Sequence, residues 1–285
     1  RFLSENIQHN PLRQRSGQIN PDRNLTEVMD LGITASGPIE CELSFTDFEE
    51  LLIAALCARG TGAADTPSSG VTRYLNGTVV DSFYFEKLFT DVAKIVGVYC
   101  AVINELTLTF EANKEVLVSF GILAQKTAKE AATRSTAYTA PSTDAVIRSG
   151  VDVATLKLGG STIAAGIRKL TISVRNNLTL KPEVGAAAAT EAMAHSFEVG
   201  GSIEAYFPSL ALYDDMVANT SRALEVKAGN AAGAFTLHLP AISLVGGTPT
   251  IPSQNSDVML EIPFLAVKGT LGGASCTMGL DVDPA

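Results

Sequence analysis

The sequence has no tryptophan and only 6% aromatic residues, and its twelve phenylalanines fall mostly at positions that alternate like strand cores. A surface that stacks rings against sugars is poorly supplied by such a chain. Charged residues make up 18% of it, below the usual share of about a quarter, and they sum to −9 with a pI near 4.9. Adhesion to nucleic acid needs clustered Lys and Arg to neutralise phosphates, so that class is disfavoured. An acidic surface can still face DNA where the task is not to hold it. Low charge also points to surfaces covered by neighbours, as in an oligomer.

Cysteine is scarce as well. Cys41, Cys57, Cys100 and Cys276 sit singly in apolar runs with no C-x-x-C spacing, which argues against zinc and against a redox dithiol. They read as buried small hydrophobes in a reducing compartment. The three histidines, His9, His195 and His238, have no Cys, His or carboxylate at ligand spacing and read as structural. There is no G-x-S-x-G, no Walker loop and no G-x-G-x-x-G after a strand. The acid pairs Glu49-Glu50 and Asp214-Asp215 diverge on their helices and read as solvated charge in first turns, where the macrodipole favours it. Gly159-Gly160, Gly200-Gly201 and Gly246-Gly247 read as turn or bulge glycines. No catalytic, cofactor-binding or metal-binding residue is assigned, and the expectation is a protein that is not an enzyme. No apolar run approaches the roughly 20 residues of a membrane span, and the start lacks the design of a secretory signal. A soluble protein made in a cytoplasm is expected, its start at Arg1 following processing, trimming or a disordered beginning.

What the chain does have is one stretch whose hydrophobic period changes and then recurs. Ile39, Cys41, Leu43 and Phe45 alternate with Glu40, Glu42 and Ser44, whereas Phe48, Leu51, Leu52, Ala55 and Leu56 follow helical spacing. A strand therefore runs into a helix, with Thr46 to Glu49 as a capping box and Gly60 as the stop. At an offset of 164 residues, Gly201 to Phe207 repeats the strand and Leu212 to Ala218 the helix, with Ser209 as its N-cap. Leu265 to Lys268 echoes Leu123 to Lys126 at an offset of 142. The difference places an insertion in the first copy, assigned to the loop Gly60 to Gly77.

Around this frame, Arg1 to Asn24 reads as an extended polar arm with no core of its own. Strands are expected at Leu25 to Ala35, Ser82 to Leu88, Val102 to Phe110, Glu115 to Lys126, Ile167 to Leu180, His195 to Phe207, Ala223 to Lys227, Ala234 to Leu244 and Asp257 to Val267. Asp91 to Val98 reads as a helical turn or bend, Ala186 to Ala194 as loop or short helix, and Val153 to Leu158 before Gly159-Gly160 as a small hairpin. At 285 residues, 46% of them apolar, two domains are expected. The fold class is mainly β: an arm (1–24), a first β-sandwich or barrel (25–126), an Ala/Thr/Ser/Gly-rich linker (127–166) and a second sandwich (167–285), each flanked by one helix.

In this order the features resemble the tail tube proteins, or major tail proteins, of long-tailed, non-contractile bacterial viruses. The resemblance rests on Asn20-Pro21-Asp22-Arg23, on Gly37, Ile39, Leu43-Ser44, Asp47-Phe48-Glu49 and Leu51-Leu52, and on Phe83, Phe85-Glu86-Lys87 and Phe89-Thr90-Asp91. In the second half it rests on Asn176-Asn177-Leu178, Gly201, Ile203, Leu212-Tyr213 and Asp257-Val258-Met259. It implies a structural virion protein assembled in the host cytoplasm. Rings of β-sandwich units would stack into a hollow tail tube through which DNA passes without specific binding. Its partners would be its own copies and other tail proteins (tape measure, terminator, distal tail), with no membrane and no cofactor. Six units per ring, two from each chain, would make a trimer of pseudo-sixfold symmetry; the rival is a hexamer with an outer decoration. The alternatives are a carbohydrate-binding or adhesive β-sandwich module of a tail tip or decoration, and an enzyme with dispersed catalytic residues.

Overall fold

The computed structural model describes residues 2–19, 21–22, 24–59, 67–135, 137–163, 166–206, 211–247, 249–250 and 257–284. The chain is mainly β. Its first half runs β1 (Phe2–Glu5), β2 (Gln8–Arg15), β3 (Val28–Glu42), α1 (Phe45–Ala55), β4 (Thr72–Leu75), β5 (Phe83–Phe89), β6 (Lys94–Glu111), β7 (Leu117–Ala124) and β8 (Lys126–Glu130). Next come the hairpin β9 (Val153–Leu158) and β10 (Ser161–Thr162), β11 (Ile167–Arg175), β12 (Thr179–Lys181), β13 (Glu191–Met193), β14 (Glu198–Tyr206) and α2 (Ala211–Val217). The chain ends with β15 (Arg222–Asn230), β16 (Gly233–Leu244), β17 (Pro249–Thr250), β18 (Met259–Val267), β19 (Gly269–Leu271), β20 (Ala274–Cys276) and β21 (Gly279–Pro284).

Period-2 patterning explains the central strands. In β7 the residues Val118, Phe120, Ile122 and Ala124 are buried and their neighbours are not. Leu170, Ile172 and Val174 in β11, and Ile262 and Phe264 in β18, do the same. These faces join one core, into which α1 is set. Phe45 packs on Phe235 of β16 with ring centroids 4.8 Å apart, and Phe48 on Phe120 of β7 at 6.1 Å.

The ladders repeat. In the first half β2 lies on β3, β3 on β7 and β7 on β6, and the early part of β6 also pairs with β5 and β8. In the second half β11 lies on β14, β14 on β18 and β18 on β16, and the early part of β16 also pairs with β15 and β21. The register repeats with the order. Ser36 faces Leu123 and Gly200 faces Leu265, so the partners are shifted by the same 164 and 142 residues that the sequence pattern shows. The extra residues of the first copy lie between α1 and β5, which are separated by 56–82, against 218–221 between α2 and β15.

The recurring glycine has one cause in both copies. A Cβ on Gly37 would lie 1.9 Å from the Asn6 carbonyl oxygen, and one on Gly201 would lie 2.0 Å from that of Thr171. Each is therefore the site where the leading strand crosses against its partner backbone. Gly200-Gly201 accordingly sits within β14 rather than in a turn.

Several expectations are corrected. The N-cap of α1 is Ser44, not Thr46: Ser44 has extended backbone (φ −123, ψ 158) and its hydroxyl donates to Asp47 Oδ2 at 2.7 Å. Thr46 instead bonds Asp144. The helix stops in the left-handed Cys57 (φ 51) rather than at Gly60, which lies outside the described residues, as do Ser209 and Phe207. The polar arm supplies β1 and β2, because strand pairing uses backbone groups and needs no apolar period. Strand replaces bend from Lys94 onward, and Glu191–Met193 pairs with β12 where loop or helix is expected. Of the cysteines, Cys41, Cys57 and Cys276 are buried and Cys100 is exposed.

Within the inserted segment, Thr72–Leu75 is a strand, and it pairs with β21 at the other end of the chain. Arg73 fixes it there, donating to both oxygens of Asp281 at 2.6 and 2.7 Å in a buried fork. His238 Nε2 lies 3.0 Å from the same carboxylate. Burial alone would raise the Asp281 carboxyl, but hydrogen bonds from His238 and Arg73 outweigh it and hold it below its ordinary value.

Two predictions follow from this packing. Gly37→Ala and Gly201→Ala should each cost about 1–3 kcal/mol, the usual penalty of overpacking, read as a fall in the denaturant midpoint with an unchanged slope. The Asp281 contribution, coming from a depressed acid, is complete above the unfolded carboxyl value and is lost as pH falls through the lower folded one. Acid titration of stability below about pH 4 should therefore be shallower in an Arg73→Met/Asp281→Leu variant than in the native chain. Equal slopes would show that this cluster does not govern acid stability.

Candidate functional site

The three histidines each have a hydrogen-bonding neighbour. His238 sits between two carboxylates, with Nδ1 4.0 Å from Glu225 Oε2 and Nε2 on Asp281, whose oxygens Arg73 already holds. His9 Nδ1 is 2.8 Å from the Thr127 hydroxyl, and His195 Nε2 is 2.8 Å from that of Thr179. A cavity of about 530 Å³ brings Cys57, Cys100 and His195 to one lining. Burial and the Asp81 charge push the Cys57 thiol up to about 11, so it stays protonated and unreactive. Burial likewise pushes Cys41 up to about 11. Among the described residues no three His, Cys, Asp or Glu side chains gather as metal ligands.

The acid pairs divide. Glu50 is exposed and pairs with Arg59, and Asp214 is exposed. Asp215 is bound by Arg222 at the start of β15, at 2.6 and 3.2 Å, and so closes the α2 turn.

The polar residue that matters most to the architecture is one that periodicity does not reveal. Asn176 is buried, and its amide nitrogen donates to the carbonyls of Ala55 at 2.9 Å and Ile103 at 3.0 Å. Its backbone N–H donates to Asn104 O at 2.9 Å, while Asn104 Oδ1 accepts from the Leu178 N–H at 2.6 Å. The end of β11 is thereby locked to the end of α1 and to a bulge in β6. A single Asn followed by Asn177 carries no period, so the hydrophobic patterning of the sequence does not mark it.

Exposed apolar side chains gather in two places. Phe2, Leu3, Leu12, Ile19, Leu25, Val28 and Leu31 lie along the β1–β3 strands and the hairpin between β2 and β3. Val245, Val258, Leu265 and Val267 lie along β18 and the end of β16. The first region is a sheet edge and a hairpin tip, where unpaired backbone and apolar area together invite another strand; in the second, Leu265 and Val267 lie on a strand already paired with β14 and β16, so they offer apolar area alone. Among the described residues no helix is long and apolar enough to cross a membrane.

These surfaces belong to a scaffold. A search among curated proteins finds no match to the chain. The family model of the phage tail tube protein matches residues 7–266, a span that takes in most of both copies of the repeated ladder. The chain therefore belongs to the phage tail tube proteins, structural components of the virion tail.

Proposed function

We propose that three copies of this chain close into a ring of pseudo-sixfold symmetry, and that such rings stack into the hollow tube through which the viral DNA passes. The observation that carries the stoichiometry is the repeated ladder, with matching order and matching register in the two halves. Two units per chain, centred on 25–126 and 167–285 and joined through 127–166, supply six units from three chains. The strands of the arm give the first unit the leading strand that β11 gives the second. Tying units in pairs makes half of the contacts around the ring intramolecular, at the high effective concentration a linker provides.

The acidic balance of −9 suits a conduit, since a lumen without clustered cations gives phosphates nothing to hold. Assembly takes place in the host cytoplasm, with tape measure, terminator and distal tail proteins at the ends of the tube.

Image averaging of tube cross-sections without imposed symmetry tests the ring. Three identical repeats, each split into two similar lobes, are expected; six identical repeats with one outward domain apiece would refute the trimer. The one-sided insertion is assigned to contact between rings. Deleting residues 61–69 should leave a folded protein, still held by Arg73 and Asp281, that forms rings but not long tubes by negative stain. Long tubes from the deletion variant would remove that role.

A further inference from the structure

Apart from the β4–β21 pairing made by the inserted segment, one ladder joins the two repeated units edge to edge, and the two edges that would make the same ladder again are open at its ends. Within the chain, Glu105–Glu111 of β6 pairs antiparallel with Lys169–Arg175 of β11, with Leu108 opposite Ile172. The counterpart of that part of β6 is the end of β16 continued by β17. Leu108 faces Val118 of β7 as Pro249 faces Leu260 of β18, and Thr109 faces Leu117 as Thr250 faces Met259. The counterpart of β11 is the run Phe2 to Asn10: Ile172 faces Gly201, and Ile7 falls opposite Gly37, one step from the pair Gln8 and Ser36. Among the described residues, neither edge has a strand on its outer side.

Backbone directions agree with this. In β6, Asn104 O accepts from β11 and Ala112 N–H donates to it, so the even positions, Leu108 included, turn toward β11. Pro249 thus turns its nitrogen, which has no hydrogen, to the open edge, a place where sheets tolerate proline. On the other edge, Asn6 donates inward to Pro38 O at 3.0 Å, so Ile7 turns outward. The Ile7 carbonyl already accepts from Lys87 Nζ at 2.7 Å. The position that cannot donate therefore faces the carbonyl that needs no donor, and because the Ile7 N–H already donates to Glu5 Oε1 this pair adds contact and no backbone bond, leaving His9 opposite Gly247 as the hydrogen-bonded pair. The same register sets Val245 opposite Pro11 and beside the exposed Leu12, so apolar surface meets apolar surface.

Resting on the tail tube reading above, we propose that the open edge at Gly246, Gly247, Pro249 and Thr250 of one subunit pairs antiparallel with the run Asn6 to Asn10 of the next copy, with Pro249 opposite Ile7 and Thr250 opposite Asn6. This seam reproduces between subunits the ladder that β6 and β11 make within one.

Disulfide trapping tests the register. Thr250 and Asn6 occupy a non-hydrogen-bonded pair, whose Cα atoms lie about 4.5 Å apart, within bridging range. In a Cys100→Ser background, Asn6→Cys/Thr250→Cys tubes should, on oxidation, run under denaturing conditions as subunits joined up to a closed ring, and return to monomer on reduction. Gln8→Cys/Thr250→Cys should remain monomeric. The pair Thr109→Cys/Thr171→Cys, at the equivalent place inside the chain, serves as the positive control. Tubes that form and yield only monomer, while this control closes, overturn the seam and leave the tail tube reading intact. Should the trapping variant fail to assemble, hydrogen exchange of the unmodified protein decides: the outward His9 amide must slow between free subunit and tube, and unchanged exchange overturns the seam. A native chain that forms no tube at all overturns the tail tube reading itself, and this inference with it.

Discussion

The ladder between β6 and β11 is the contact on which the rest of the molecule depends. Seven residue pairs run from Glu105 with Arg175 to Glu111 with Lys169, and they convert two similar halves into one continuous sheet and one core. Remove that pairing and each half has an open edge of backbone groups, with Leu106, Leu108, Phe110, Leu170, Ile172 and Val174 at the break. The helix α1 depends on it too. Phe45 reaches β16 of the second half while Phe48 reaches β7 of the first, so the helix is placed by both halves at once.

How much of this is legible in the sequence depends on what kind of force each feature uses. Features set by side-chain burial are legible, because burial imposes a period. The strand-to-helix switch at Leu43 to Phe48, the closing strands at Leu123 and Leu265, and the offsets of 164 and 142 all reappear in the register of the ladders. Features set by backbone pairing are not. Gln8–Arg15 carries six polar or charged residues and a proline, yet it is a strand, because β3 offers it a row of donors and acceptors.

Capping fails for a narrower reason. Ser44 with Asp47 and Thr46 with Glu49 are two overlapping capping boxes, two residues apart in one stretch. Spacing cannot choose between them. The helix starts at Phe45, and in that arrangement the Phe45 ring packs on Phe235. The exposed Cys100 is missed similarly, since its apolar neighbours Val98 and Ala101 are buried while a left-handed backbone (φ 49) turns its own side chain out.

The two seams differ where their chemistry should. Inside the chain, the buried Asn176 amide donates to the carbonyls of Ala55 and Ile103 at the end of the ladder, while Asn104 accepts from the Asn176 and Leu178 N–H groups, an arrangement that is costly to break because each partner would be left unsatisfied. Between chains, the same positions are Pro11 and Val245, which offer each other apolar surface and no buried polar lock. Leu108, a donor in the internal ladder, is replaced by Pro249, which gives none. The internal seam is therefore specific and hard to open, and the external one is weaker and can form after folding without leaving buried polar groups exposed beforehand. A subunit built this way completes its own sheet first and presents its remaining edges second, which is the order a polymer of separately folded subunits requires.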